Sequence, residues 1–236
     1  LAEYSLDASQ FDIYCGQTFV GKKRWDHRMQ GFVAVDHAVE AADGFIANGF
    51  ARSKAYFANG SERVVFHATE VCHSTVGRTS IVRQVGTNLV AKEYMDKRPS
   101  DADLACRLLC EAAHYAEQFN VQVRGSPDMR VTYVSCFVYD VEVDDRSLRF
   151  IVEEELEGKF TKWNNNAGSV NLKAGSKLSG LDAIVEDDGT DDDSDSFVGS
   201  PGARPTAADV PQAFSHFTHT ITKGRRLVCD IQGTWN

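Results

Sequence analysis

At 236 residues, with 42% hydrophobic and 10% aromatic side chains, the chain has enough apolar material for one large domain or two lobes sharing a cleft. No uninterrupted apolar run approaches the ~18 residues of a membrane span, and Leu1 to Gly16 lack the basic-then-apolar order of a secretory signal. Of the net charge of −9, seven negative charges sit at Glu186, Asp187, Asp188, Asp191, Asp192, Asp193 and Asp195, and no basic stripe is present to follow a nucleic-acid backbone, which argues against DNA or RNA as a partner.

The first stretch, 1–43, shows little periodicity and is an N-terminal extension or the start of a first lobe. Gly44 to Glu70 reads as short strands separated by Gly49 and by Asn59-Gly60. Ile81 to Val85 and Asn88 to Met95 read as two more, the second with Lys92 at its centre. From Asp101 to Phe119 the apolar residues Leu104, Leu108, Ala112, Tyr115 and Phe119 recur at helical spacing, with Ser100 as a cap and acids in the first turn. Val131 to Val143 alternates and is rich in Val, Tyr and Phe, and Arg149 to Leu156 is a further strand. The acidic, Gly- and Ser-rich stretch that runs to about Pro205 lacks the apolar content to order itself, so 186–205 is expected to be a disordered insertion. A short helix from Thr206 to about Phe217 and a buried strand from Arg226 to Ile231 complete the outline. Strands first, one helix after the lysine strand, then a strand that leads into a second half: the outline suits a two-lobed α+β enzyme.

The six cysteines, Cys15, Cys72, Cys106, Cys110, Cys136 and Cys229, are scattered and contain no C-x-x-C pair, which suits reduced thiols in the cytosol. Cys106, Cys110 and His114 share a helix face, but the ends are ~12 Å apart along the axis, too far for one tetrahedral metal. They read as core-facing, and His67, Cys72 and His73 as ordinary strand and loop residues.

Three segments carry chemistry. In Asn48-Gly49-Phe50-Ala51-Arg52 a glycine between strands would let the backbone approach phosphates, with an arginine three residues on. In Val90-Ala91-Lys92 a half-buried lysine needs an anionic partner, a carboxylate or a phosphate, and Glu111 on the following helix is the candidate. The third segment is Phe150-Ile151-Val152-Glu153-Glu154-Glu155-Leu156-Glu157-Gly158, continued by Trp163-Asn164-Asn165-Asn166. It is followed by Ala213-Phe214-Ser215-His216 and then by Asp230-Ile231-Gln232-Gly233.

This succession resembles the alpha-kinase family of atypical serine/threonine protein kinases, over about Phe45 to Gly233. The resemblance implies an α+β, two-lobed protein-kinase-like fold, with a β-rich first lobe over 44–152 and the hinge and part of a second lobe over 153–236, that binds ATP and magnesium and passes the γ-phosphate to a serine or threonine of a protein substrate. It implies a phosphate-covering turn holding Gly49 and Arg52, and a Lys92 that meets the nucleotide phosphates, oriented by Glu111. Glu153 and Glu155 would lie in the hinge beside adenine, and Asn166 near the phosphates and metal. Asp230 would be the catalytic carboxylate, Gln232 would help around magnesium, and His216 would be one ligand of a structural zinc. By the same resemblance the remaining zinc ligands, a further metal-binding aspartate and a glycine-rich substrate loop belong beyond Asn236. A nucleotide-binding pseudokinase or truncated product acting as an interaction module is the alternative reading.

Overall fold

The computed structural model describes residues 6–7, 9–38, 44–96, 99–165, 169–170 and 208–235. The acidic segment 186–205 and Asn166 lie outside these described residues. The chain divides into two compact units, one of 1–117 with 132–156 and the other of 118–131 with 157–236.

The first unit is built on a nine-stranded antiparallel sheet. Its strands are β1 (Phe11–Cys15), β2 (Phe19–Asp26), β3 (Gly31–Ala34), β4 (Gly49–Ser53), β5 (Ala58–Asn59), β6 (Arg63–Val76), β7 (Thr79–Tyr94), β8 (Cys136–Val143) and β9 (Arg146–Glu154). They are ordered β1-β4-β6-β7-β9-β8-β2-β3, with β5 on β6. The stretch before residue 44, nearly without periodicity, therefore supplies three strands and both edges. Val, Ile and Phe at alternate positions fit the pleat, and two tight turns set the register. Gly77 at φ 65° opens the β6–β7 hairpin, and Asp144 and Asp145 at φ 50° and 60° close β8–β9 in the left-handed region that short polar side chains tolerate.

One face of the sheet buries Tyr14, Phe50, Phe66, Ala91, Tyr139, Phe150 and Val152. Tyr14 and Phe150 lie on strands separated by three others, yet their ring centroids are 6.0 Å apart. Four inter-strand steps of a flat sheet span roughly 19 Å, so the sheet curls around this core. The opposite face takes α1 (Pro99–Gln122), where Ala102 and Cys106 pack on Cys136, Val138 and Ile151. The sequence places Leu104 and Leu108 on the buried stripe of this helix; in the structure both are about half exposed, and the contact is made by Ala102, Ala105, Cys106, Leu109 and Cys110. Arg149 bonds Asp103 of α1 and Asp140 of β8 at 2.8 and 2.7 Å, and Lys23 pairs with the same two acids.

The second unit contains α2 (Asp209–Ile221) and a two-stranded ladder of β10 (Thr161–Lys162) with β11 (Gln232–Gly233). Val210, Pro211, Phe214, Ser215 and Thr218 form the buried face of α2, and Phe214 and Phe217 meet Phe119 edge-on at 5.6 and 5.4 Å. The strand predicted from Arg226 to Ile231 is not formed. Those residues run irregularly, half-buried or exposed, and only Gln232–Gly233 pairs. The backbone is held here by side chains instead: the Val228 N–H donates to Thr218 Oγ1 and the Arg226 N–H to Thr222 Oγ1, both 3.0 Å.

Candidate active site

Lys92 stands in the middle of β7, flanked in register by Val65 of β6 and Ile151 of β9. Strand alternation turns Ala91 into the curled core and Lys92 to the face that carries α1. Its ammonium reaches Glu153 Oε2 at 2.6 Å, with the glutamate side chain only 9% exposed. The sequence predicts Glu111 as the partner of this lysine; the carboxylate that meets it at 2.6 Å is Glu153. Glu111 is buried on α1 and accepts from Arg107 Nε at 3.0 Å, the i,i+4 partner a turn earlier. Glu153 reaches Lys92 because β9 lies directly beside β7. Its other oxygen, Oε1, is buried without a hydrogen-bond donor among the described residues. Glu155 leaves the sheet; its N–H donates to the Asn88 carbonyl at 3.0 Å and its carboxylate lies 3.3 Å from His67 Nδ1.

Gly49 and Arg52 are also placed differently from the expectation. Both lie inside β4, which is paired with β1 on one side and β6 on the other, so they do not form a turn. A Cβ on Gly49 would fall 2.6 Å from the Tyr14 carbonyl oxygen and 2.9 Å from Cys15 Cβ. The glycine is required by the close approach of β1. Arg52 is occupied by Asp12 at 3.3 Å and stacks over Phe66 at 4.1 Å.

The curled face holds a cavity of about 210 Å³, lined by Lys22, Glu70, Leu89, Phe137, Tyr139 and Glu154 among others. Glu70 is satisfied there by Lys22 Nζ at 3.2 Å and by the Tyr139 hydroxyl and the Ala38 N–H, both at 2.7 Å. Burial, reinforced by this carboxylate, pushes the Tyr139 phenol well above its usual range. Leu89 and Lys92 point to opposite sides of β7, so this cavity is separate from the Lys92 site.

In the second unit Asp230 lies two residues before β11. Its backbone is left-handed at φ 57°, and its carboxylate lies 2.6 Å from Lys162 Nζ on β10. Gln232 is exposed and in register with Lys162. Gly158, at φ 99°, begins the run that leads to β10, and a Cβ added to it would lie 3.8 Å from Thr234 Cγ2. Asn164 is buried, accepts from the Ile231 N–H at 2.7 Å, and faces α2. The sequence reading assigned no role to Lys162 or Asn164. The available signal was their place in the Lys162-Trp163-Asn164 run; what hid them was that strands of two residues leave no periodicity. His216 is exposed on α2.

These clusters can be compared with known proteins. Residues 58–236 match the alpha-kinase family. The chain belongs to the alpha-kinase family. Human eukaryotic elongation factor 2 kinase is 30% identical over 152 residues, which cover 62% of this chain and 16% of that kinase. Its Caenorhabditis elegans counterpart is 30% identical over 151 residues, again 62% of this chain and 15% of the relative. Among solved structures, the inactive alpha-kinase domain of myosin heavy chain kinase A in complex with ATP superposes with a TM-score of 0.56 over 93% of this chain and 79% of that one. At 16% identity this likeness shows the shared fold. The ADP complex of the same domain gives the same TM-score of 0.56 at 17% identity.

No helix among the described residues is long and apolar enough to cross a membrane. No three His, Cys, Asp or Glu among them converge as a metal site. A structural zinc takes four ligands, and the exposed His216 with its described surroundings does not fit one.

Proposed function

We propose that this chain is the catalytic part of an ATP-dependent serine/threonine protein kinase acting in the cytosol. The observation that carries the reading is Asp230, a carboxylate fixed in a left-handed turn 2.6 Å from Lys162, inside the Asp230-Ile231-Gln232-Gly233 run of an alpha-kinase. Backbone conformations of this kind persist where the surroundings over-determine them, and they cluster at functional sites.

In this reading the hydroxyl oxygen of the protein substrate forms a bond to the γ-phosphorus while the bond to the β–γ bridging oxygen breaks, and ADP leaves. The hydroxyl proton passes to Asp230. Lys162 fixes that carboxylate and offsets its charge. Lys92 exchanges Glu153 for the nucleotide phosphates, and the hinge glutamates Glu153 and Glu155 adjoin adenine. Phosphoryl transfer of this kind is mostly positioning and charge neutralisation. Asp230 and Gln232 offer the hard oxygen donors that magnesium takes, and magnesium bound to a nucleotide needs only one or two protein ligands besides the phosphates; bound there, it would neutralise the phosphate charge. Asn166 is proposed to join them.

The test is transfer of labelled γ-phosphate from ATP to threonine- and serine-containing peptides by the full-length protein, beside direct measurement of nucleotide binding. Phosphothreonine or phosphoserine that depends on Lys92 is the expected result. Nucleotide binding without any transfer would overturn the kinase reading in favour of a non-catalytic one.

A further inference from the structure

Asp230 is a non-glycine residue with positive φ, so something must hold it there, and Lys162 restrains only its side chain. The Asp230 N–H makes a long bond to the Asn165 carbonyl at 3.4 Å, and the shorter backbone restraint, on the next residue, comes from Asn164. Its Oδ1 accepts the N–H of Ile231, the residue between Asp230 and Gln232, at 2.7 Å. Its Nδ2 donates to Gln212 Oε1 at 3.2 Å and Ser215 Oγ at 3.3 Å, both on α2. The orientation of the amide is fixed, because a backbone N–H can only donate and the atom facing it must be the oxygen. The side chain belongs to a residue only 2% exposed, so water does not substitute for these partners.

Around it the Trp163 N–H donates to the Ile231 carbonyl at 2.9 Å, and Gln212 Nε2 reaches the Trp163 carbonyl at 3.5 Å. Ile231 is thus gripped at its carbonyl by the backbone that continues β10 and at its N–H by the asparagine. Past this point the ladder continues as Lys162 with Gln232; before it, the chain turns through Asp230. Asn164 caps the ladder where the turn begins and ties it to a helix whose own register is set by Phe214 and Thr218 in the core. The serine of Ala213-Phe214-Ser215-His216 thereby has a role as an acceptor for the asparagine.

We infer that Asn164, supported by Ser215, is a positioning residue for the phosphotransfer step, setting the backbone angle at which Asp230 presents its carboxylate. The inference rests on the kinase reading above. Misplacement of a catalytic group by about 1 Å costs on the order of a hundredfold in rate. A positioning residue therefore lowers kcat while leaving nucleotide affinity alone; a purely structural one lowers the folded fraction and leaves the kcat of the folded molecules unchanged.

In the full-length protein, Asn164→Leu should reduce kcat by ~10–100-fold per folded molecule with the KM for ATP within ~3-fold. Asn164→Asp keeps an acceptor for Ile231, and Gln212 and Ser215 can turn to donate to it, so it should recover most of the lost kcat. Ser215→Ala, which tests the same tie should Asn164→Leu fail to fold, should lower kcat by several-fold, again without change in KM. Wild-type kcat in folded Asn164→Leu, or in Ser215→Ala where Asn164→Leu does not fold, overturns the inference while leaving the kinase reading in place. A wild-type protein that transfers no phosphate removes that reading first, and this inference with it.

Discussion

Lys92 and Lys162 each hold a carboxylate at 2.6 Å, yet the two pairs are embedded differently. Lys92 and Glu153 project from adjacent paired strands, with the glutamate almost fully buried. Lys162 and Asp230 are each about a third exposed, on a two-residue ladder and an irregular turn. The first geometry is a by-product of sheet register and is supported by a large core. The second depends on a few side-chain hydrogen bonds. Removing a member of the first pair should therefore disturb stability as well as chemistry, and removing a member of the second should disturb chemistry far more than stability.

The largest stability effect is expected at Lys92. Lys92→Ala strands Glu153 as an uncompensated buried carboxylate, which costs about 3 kcal/mol, a fall in Tm of roughly 6–12 °C for a protein of this size. Replacing the pair together, Lys92→Met with Glu153→Leu, should recover most of the stability and none of the transfer activity. Thermal melts beside the kinase assay decide this; a Lys92→Ala protein that melts like wild type would mean that the pair is not closed in solution.

Gly49→Ala is expected to be next. The added methyl meets the Tyr14 carbonyl and forces β1 away from β4, costing about 1–3 kcal/mol as overpacking does. Its activity per folded molecule should stay near wild type, measured as kcat corrected by active-site titration. A selective loss of kcat or ATP affinity would restore a phosphate-contacting role to that strand.

These two residues also show what the sequence could and could not disclose. That Lys92 sits mid-strand followed the apolar run around it, and the ordered run from Glu153 to Gly233 disclosed the family. The partner of Lys92 was not legible, because strand adjacency is a long-range property and a helix in sequence proximity is the nearer guess. Gly49 was read as a turn glycine because its neighbours look like strand ends; only the position of Tyr14, far earlier in a stretch without periodicity, reveals the close approach. Leu104 and Leu108 mark a helix without identifying its buried side, since the contact falls on Ala102, Cys106 and Leu109. At Asp230 the order of residue types was legible, and the left-handed turn was not, because Asn164 and α2 impose it from outside the segment.

The smallest effect expected is on pH dependence. Burial, and then the His27 ring stacked on it at 3.9 Å, hold the His114 imidazole below its usual range, with Arg28 acting in the same direction and Glu117 against. The folded state thus favours neutral His114. That contribution is complete above the unfolded value of about 6.5 and is lost as pH falls below it, because the unfolded chain then binds more protons. His114→Phe keeps a stacking ring that cannot titrate, so its Tm should fall less than that of wild type between about pH 7.5 and 5.5. Equal falls would place the acid sensitivity elsewhere.

The most direct test of Asp230 as the catalytic carboxylate is Asp230→Asn in the full-length protein, comparing three quantities on the same preparation: Tm, nucleotide affinity and single-turnover phosphotransfer. Tm should stay within a few degrees and affinity within a few-fold, while transfer falls by ~10²–10³ or more, as when a group acting on the transition state is removed. Phosphotransfer at the wild-type rate in this variant would contradict the assignment of Asp230 and, with it, the mechanism built on that residue.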